Sequence, residues 1–220
     1  MSSVKDTYRE YWQGKKGLED FEVYERNQAL KRVTISGGKV LDLACGEGAV
    51  GLYLQSLGCV VTGLDLAGEA LKKARQRGLK VVTGDVEKRL PFPDESFDLV
   101  FWGDNVEHLF NPTKTVHEIH RILKQGGKLI LSCPNMSYWR YRLYFLRFGM
   151  VPSSEWFHTL PWEWEHIRFF NRGVMKQFLQ NGGFTEDKFI GVSRRRVDHF
   201  LKNIWPEIFG MIMLVEARKQ

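Results

Sequence analysis

The sequence predicts an α/β fold built on a mostly parallel sheet. Short apolar runs alternate with amphipathic helical stretches, glycines sit at the junctions, and three successive runs end in a turn or a carboxylate: VLDLACGEG at 40–48, then Asp65, then Asp85. Right-handed crossovers between parallel strands bring the carboxyl ends of those strands to one edge, where open α/β sheets bind their ligands.

Each element follows from local pattern. Residues 39–43 (KVLDL) form a strand, 46–48 a glycine turn, and 49–57 a short helix stopped at Gly58. Residues 59–64 (CVVTGL) repeat the strand, 68–76 the helix with its stop at Gly78, and 79–83 (LKVVT) give a third strand running to Asp85. A fourth strand covers 97–102 (FDLVFW), a helix 113–124 has Val116, Ile119 and Leu123 on one face, and GGKLILSC forms the fifth strand. After a long interruption come a helix near 172–181, a strand near 186–192, a helix-like patch from His199 to Trp205 and a last strand at 211–217. No internal repeat or low-complexity tract is present.

The chain of 220 residues suffices for one such domain with an insertion. Its organisation is an N-terminal helical segment (1–37), a sheet core (38–134), an insertion (135–171) and a closing helix and strands (172–220). The net charge of +6 comes from interspersed residues, which suits an anionic substrate or simply a solvated basic surface. Cys45, Cys59 and Cys133 lack metal-ligand spacing and fit a reduced, cytoplasmic protein. No stretch approaches the roughly 18 apolar residues of a membrane span, and the charged N-terminus does not resemble a signal peptide.

Gly46, Gly48 and Gly51 match G-x-G-x-x-G with Asp65 downstream, so a dinucleotide must be weighed. Asp42 argues against it, because a carboxylate there faces the pyrophosphate that a dinucleotide lays on the helix N-terminus. A nucleoside with a cationic tail suits the acids better: Asp42 for an ammonium, Asp65 for ribose hydroxyls and Asp85 for an exocyclic amine. S-adenosyl-L-methionine has those three parts.

VLDLACGEG, LDLAGEAL, GDVEKRLPFPDESFDLVFWGDNVEHL and HEIHRILKQGGKLILSCPN resemble, in order and spacing, the motifs of the class I S-adenosylmethionine-dependent methyltransferases over residues 38–135. The resemblance implies a Rossmann-like three-layer sandwich with a seven-stranded sheet whose last strand is antiparallel. It implies that Asp42 lies near the methionine moiety and that the backbone of Ala44, Cys45, Gly46 and Gly48 approaches the cofactor. Asp65 beside Leu66 would hold the ribose, Asp85 with Val86 would border the adenine, and Gly103 would close the edge. Ala44 stands where glycine is commonest in the family.

Methyl transfer asks the protein to hold a nucleophile in line, remove its proton where necessary, and exclude water. The tip after the fourth strand offers His108 as a general base, or as a residue that merely packs the loop. His117 and His120 of HEIH share a helix face, but no third ligand accompanies them, and no metal is assigned. From Tyr138 to Phe170 the insertion holds twelve aromatic residues among Arg140, Arg142, Arg147 and Arg168. As an acceptor lid it would use Tyr138, Arg140, His166 and Arg168, aromatics walling the pocket and guanidinium forks meeting anionic oxygens. A small accessory core, a membrane-surface helix and a single-strand stacking surface are the competing readings.

Residues 133–184 also resemble, more loosely, the MetW-like branch and methyltransferases associated with surface glycans. The sequence thus points to methyl transfer onto a small molecule, at oxygen first, such as an anionic metabolite or a saccharide, without nucleic acid. The alternative is a non-catalytic cofactor-binding partner or regulator of the MetW-like kind. Tyr8, Tyr11 and Trp12 lead to the further expectation that the N-terminal segment folds over the cofactor edge.

Overall fold

The computed structural model describes residues 21–23, 25–35, 37–150, 166–193 and 195–220. The expected N-terminal cover at Tyr8, Tyr11 and Trp12, and the insertion between 151 and 165, lie outside these residues.

Seven strands form one sheet in the order β3-β2-β1-β4-β5-β7-β6. They are β1 Lys39–Leu43, β2 Val60–Asp65, β3 Lys80–Thr83, β4 Phe97–Gly103, β5 Leu123–Pro134, β6 Phe184–Val192 and β7 Ile212–Lys219. The first five pair in parallel, and β7 runs antiparallel to both β5 and β6, as the resemblance implied. The helices are α1 Glu25–Leu30, α2 Ala49–Ser56, α3 Gly68–Gln76, α4 Pro112–Ile122, α5 Trp139–Phe148, α6 Arg172–Asn181, α7 Arg196–Ile204 and α8 Pro206–Phe209.

The two-residue period of the strands divides the core between the sheet's faces. Leu41, Leu43, Leu64, Val100, Trp102, Leu129, Leu131 and Val215 pack with Val116 and Ile119 of α4 and Met175 and Leu179 of α6. Val40, Val61, Leu99, Phe101, Ile130 and Leu214 pack on the other face with Leu30 of α1, Leu54 of α2 and Ala74 of α3. Burial on both faces explains why these strands read as nearly continuous apolar runs.

Local signals set most boundaries. Asn111 accepts the Lys114 amide at 3.2 Å with Pro112 following it, starting α4, and Asn171 likewise accepts Val174 at 2.9 Å to start α6. The boundary between α4 and β5 departs from expectation. Leu123, read as the last apolar residue of a helix face, opens β5 and pairs with Phe97 of β4. The same buried core receives it by either route, and strand pairing takes precedence over helix continuation.

Candidate functional site

The tips of β1, β2, β3 and β4 meet at the carboxyl edge. After β1 the chain turns through left-handed backbone at Ala44 (φ 59°), Gly46 (φ 52°) and Gly48 (φ 78°) before entering α2. Alanine in that region costs roughly 1–2 kcal/mol, a strain that glycine avoids. The turn is tied to β2 by the Cys45 amide, which donates to the Leu64 carbonyl at 3.0 Å.

Asp65 fixes the geometry. It is 1% exposed; one carboxylate oxygen accepts the Gly46 amide at 2.9 Å and the other the Ala67 amide at 2.8 Å, so a single side chain laces the turn after β1 to the turn after β2. Leu66 lies half-buried between them. Asp42 is buried beneath the turn, one oxygen 3.0 Å from the position a Cβ on Gly51 would take, so it faces the first turn of α2 and its positive dipole end. Cys45 is buried between these acids, and burial, then Asp42 and Asp65, raise its thiol pKa well above the ordinary value.

Asp85 stands two residues beyond β3, where its Oδ1 accepts the Glu87 amide at 3.0 Å in an Asx-type turn. Val86 packs on the core, and its carbonyl accepts the Thr115 hydroxyl at 3.0 Å, anchoring this tip to α4.

Gly103 ends β4 in a buried position where a Cβ would strike the Phe101 ring at 2.7 Å. Asp104 follows with φ 42°, accepting the Ser132 hydroxyl at 2.7 Å and pairing with Arg26 of α1. The chain then makes a 3-10 turn at Val106–His108 in which Glu107 is 2% exposed. His108 Nε2 lies 4.0 Å from Glu107 Oε1, and the His108 ring meets the His166 ring edge-on at 4.6 Å. Burial, then His108, lowers the His166 pKa to about 4, so its imidazole is neutral at pH 7.

His166 is held there by its own segment. The amides of Ile167 and Arg168 both donate to the Glu107 carbonyl, at 2.9 and 3.0 Å. The Arg168 guanidinium donates to the carbonyls of Leu109 (3.3 Å) and Phe110 (2.6 Å). Tyr138 is 1% exposed and its hydroxyl donates to Asp198 at 2.6 Å; burial, then Asp198, pushes its pKa up to about 12. Tyr138 and Arg168, expected to touch an acceptor, are thus engaged with protein groups and serve here as braces. Arg140 is half-buried with its guanidinium 5.7 Å from the Trp139 ring centre.

Arg168→Lys is therefore expected to lower stability by about 1 kcal/mol, because an ammonium cannot span both carbonyls. Thermal melting checks this, and an unchanged midpoint would remove the bracing role.

In HEIH, His117 contacts the Asn181 carbonyl at 3.2 Å and His120 packs edge-on to Phe184. The residues that sequence reasoning missed are Glu107, which directly precedes His108 in the tip already singled out, and Asp198, whose importance has no local signal. Among the described residues no helix is long and apolar enough to cross a membrane.

A seven-stranded sheet of this order, with a glycine turn after β1 laced to an acid at the end of β2, is a Rossmann-like fold, whose carboxyl edge is where such sheets bind ligands. Residues 41–131 match the family described as a methyltransferase domain. The chain is similar to the ubiquinone biosynthesis O-methyltransferase of Xanthomonas oryzae, 37% identical over 111 residues, covering 47% of this chain and 46% of that protein. It thus spans about half the length of such relatives. The demethylmenaquinone methyltransferase of Listeria welshimeri is 29% identical over 188 residues, covering 76% of this chain and 79% of that protein. A solved S-adenosylmethionine-dependent methyltransferase from Mesorhizobium loti shares the fold at a TM-score of 0.67 and 21% identity, covering 90% of this chain and all of that one. The likeness to a methyltransferase domain thus covers residues 41–131, and the whole sheet shares the fold of solved S-adenosylmethionine-dependent methyltransferases.

Proposed function

We propose that this protein transfers a methyl group from S-adenosyl-L-methionine to an oxygen of a small acceptor and releases S-adenosyl-L-homocysteine. One observation carries the proposal: the glycine turn braced by Asp65 and the Glu107–His108–His166 cluster occupy tips of adjacent strands, β1 and β4, on one sheet edge.

The donor set suits the cofactor. Asp65 ends β2 and holds the glycine turn in shape through two backbone amides, the position from which a carboxylate would meet ribose hydroxyls. Asp42 provides negative potential for the ammonium, and Asp85 with Val86 provides a border for the adenine. Ala44, Cys45, Gly46 and Gly48 present backbone, flanked by Leu66 and Gly103. When bound, the cofactor supplies an electrophilic methyl on a positive sulfur. The chain's own part is to seat the acceptor oxygen in line, take its proton and keep water away. His108 is the proton acceptor in this reading, with His166 neutral beside it and Arg140 available for an anionic acceptor.

Relatives named as O-methyltransferases of ubiquinone biosynthesis support oxygen as the receiving atom; an anionic metabolite or a saccharide is the acceptor class this basic chain suits. A cytoplasmic location is part of the proposal. The test is calorimetric binding of S-adenosylmethionine, followed by methyl transfer across a panel of phenols, hydroxy acids and saccharides. Cofactor binding with no transfer to any of them would replace the enzyme with a non-catalytic partner or regulator.

Asp65→Ala is expected to weaken cofactor binding by roughly 1.5–3 kcal/mol, the range for hydrogen bonds to a charged group. It should also lower the melting temperature, because two backbone amides lose their acceptor. Unchanged affinity in calorimetry would sink the ribose assignment.

A further inference from the structure

We propose that α5, α7 and α8 together form a docking surface for an anionic lipid bilayer, on which the protein rests without crossing it. α5 is anchored near its start by buried Tyr141, whereas Leu143, Phe145, Leu146 and Phe148 are exposed, Leu146 at 79%. At 3.6 residues per turn, Trp139, Leu143 and Leu146 lie on one stripe, and the exposed Arg142 and Arg147 stand on either side of it. A helix lying in a membrane interface has this cross-section: an apolar strip sinks between the headgroups while long cationic side chains reach back to them.

The stripe does not end with α5. The Trp139 ring lies 6.4 Å from that of Phe209 in α8, and Phe209 stacks at 6.4 Å on Trp205, which is 58% exposed. Ile204 and Phe200, four residues apart on one face of α7, carry it further, Phe200 at 71% exposure. The Trp139 indole also donates to Asp198 of α7 at 2.9 Å, so the helices hold a fixed arrangement. Single exposed apolar residues need no explanation, but a joined run across three helices marks an interaction surface.

Charge selects the occupant. Arg142 and Arg147 of α5 and Arg195 just before α7 are exposed. The three helices carry two acids between them: Asp198 is buried, and Glu207 is paired with Arg172. A second copy of the chain would set these cations against themselves. Single-stranded nucleic acid would use the arginines and the rings, but it leaves Leu143, Leu146 and Ile204 with nothing to stack on. An anionic bilayer uses all three kinds of side chain, aliphatic groups among the acyl chains, aromatic rings at the headgroup boundary and guanidinium groups on the phosphates. No described helix is long and apolar enough to cross a membrane, which fits attachment from one side. Docking of this kind is independent of the chemistry at the sheet edge.

The experiment is flotation of the full chain with vesicles of phosphatidylcholine alone or mixed with phosphatidylglycerol. Binding to the mixed vesicles is expected to be about tenfold or more tighter than to phosphatidylcholine, and to weaken as salt rises. Arg142→Gln combined with Arg147→Gln should lower affinity for the mixed vesicles roughly twentyfold, at about fivefold per arginine. Leu146→Ser combined with Phe200→Ser should lower it by about tenfold or more. Val60→Ser, which replaces an exposed apolar residue at the amino end of β2, should bind as the native chain does. The replaced side chains are exposed, so melting midpoints should hold, and hydrogen exchange of the native chain with and without mixed vesicles tests the surface with no substitution at all. Added protection at 142–150 and 200–205 supports it. No binding to mixed vesicles, with or without binding to an oligothymidylate, overturns it, as does equal binding to both vesicle types, undiminished binding by either double variant, or protection confined to other segments.

Discussion

Gly48→Val is expected to destabilise the whole fold and not the cofactor site alone. Gly48 adopts φ 78°, and a Cβ there would lie 2.7 Å from Leu79 Cδ2 and 3.2 Å from the Ala74 Cβ. The left-handed backbone costs roughly 1–2 kcal/mol for a residue with a side chain, and forcing methyl groups into a packed core costs about 1–3 kcal/mol more. At about 2–4 °C per kcal/mol for a chain of this size, a melting-temperature loss on the order of 5–15 °C follows. The sequence alone suggests a variant that folds normally and fails only to bind. The tertiary contact corrects that expectation, because the α-carbon's open direction points inward, at α3 and the start of β3. A normal melting curve for Gly48→Val would contradict this packing, and full cofactor binding would contradict the role of the turn.

The second large effect is expected at Asp198, which is fully buried on α7. Its carboxylate accepts from the Tyr138 hydroxyl at 2.6 Å, the Ser193 hydroxyl at 2.7 Å and the Trp139 indole at 2.9 Å, joining the insertion to the C-terminal helices. Asp198→Ala strands three donors, two of them in buried bonds, and a loss of about 2–4 kcal/mol is expected, read from denaturant or thermal unfolding. Burial pushes the Asp198 carboxyl pKa upward, but the bonds from Tyr138, Ser193 and Trp139 outweigh it and hold the value below the ordinary one. A group with a depressed folded pKa contributes its full stability above its unfolded value, about 3.9 for aspartate, and loses it as pH falls through the folded value. The stability difference between the native chain and Asp198→Asn should accordingly be constant near neutrality and shrink as the pH is taken below about 4. A gap that widens in acid would reverse the assignment.

The sequence by itself determined whatever depends on neighbours along the chain. Strand and helix periods, the Asn111-Pro112 start of α4, the glycine turn after β1 and the acids at 42, 65 and 85 are all local patterns, and the sheet that follows from them has the expected strands. The candidate cofactor side of the edge is written in the same local patterns: each of its acids lies near the end of its own strand, and parallel crossovers must bring those ends together. Tertiary structure decided the rest. Leu123 continues a helical apolar stripe, yet pairing with Phe97 draws it into β5, since a hydrogen-bonded register outweighs one more helical residue. Asp198 is one acid among 26 until folding brings it to Tyr138, sixty residues away. His108 and His166 likewise have no pattern linking them in the chain; two amides and a guanidinium bound to the loop at 107–110 set them ring to ring. Contacts between distant segments depend on how loops close over the sheet, and no residue spacing encodes that closure.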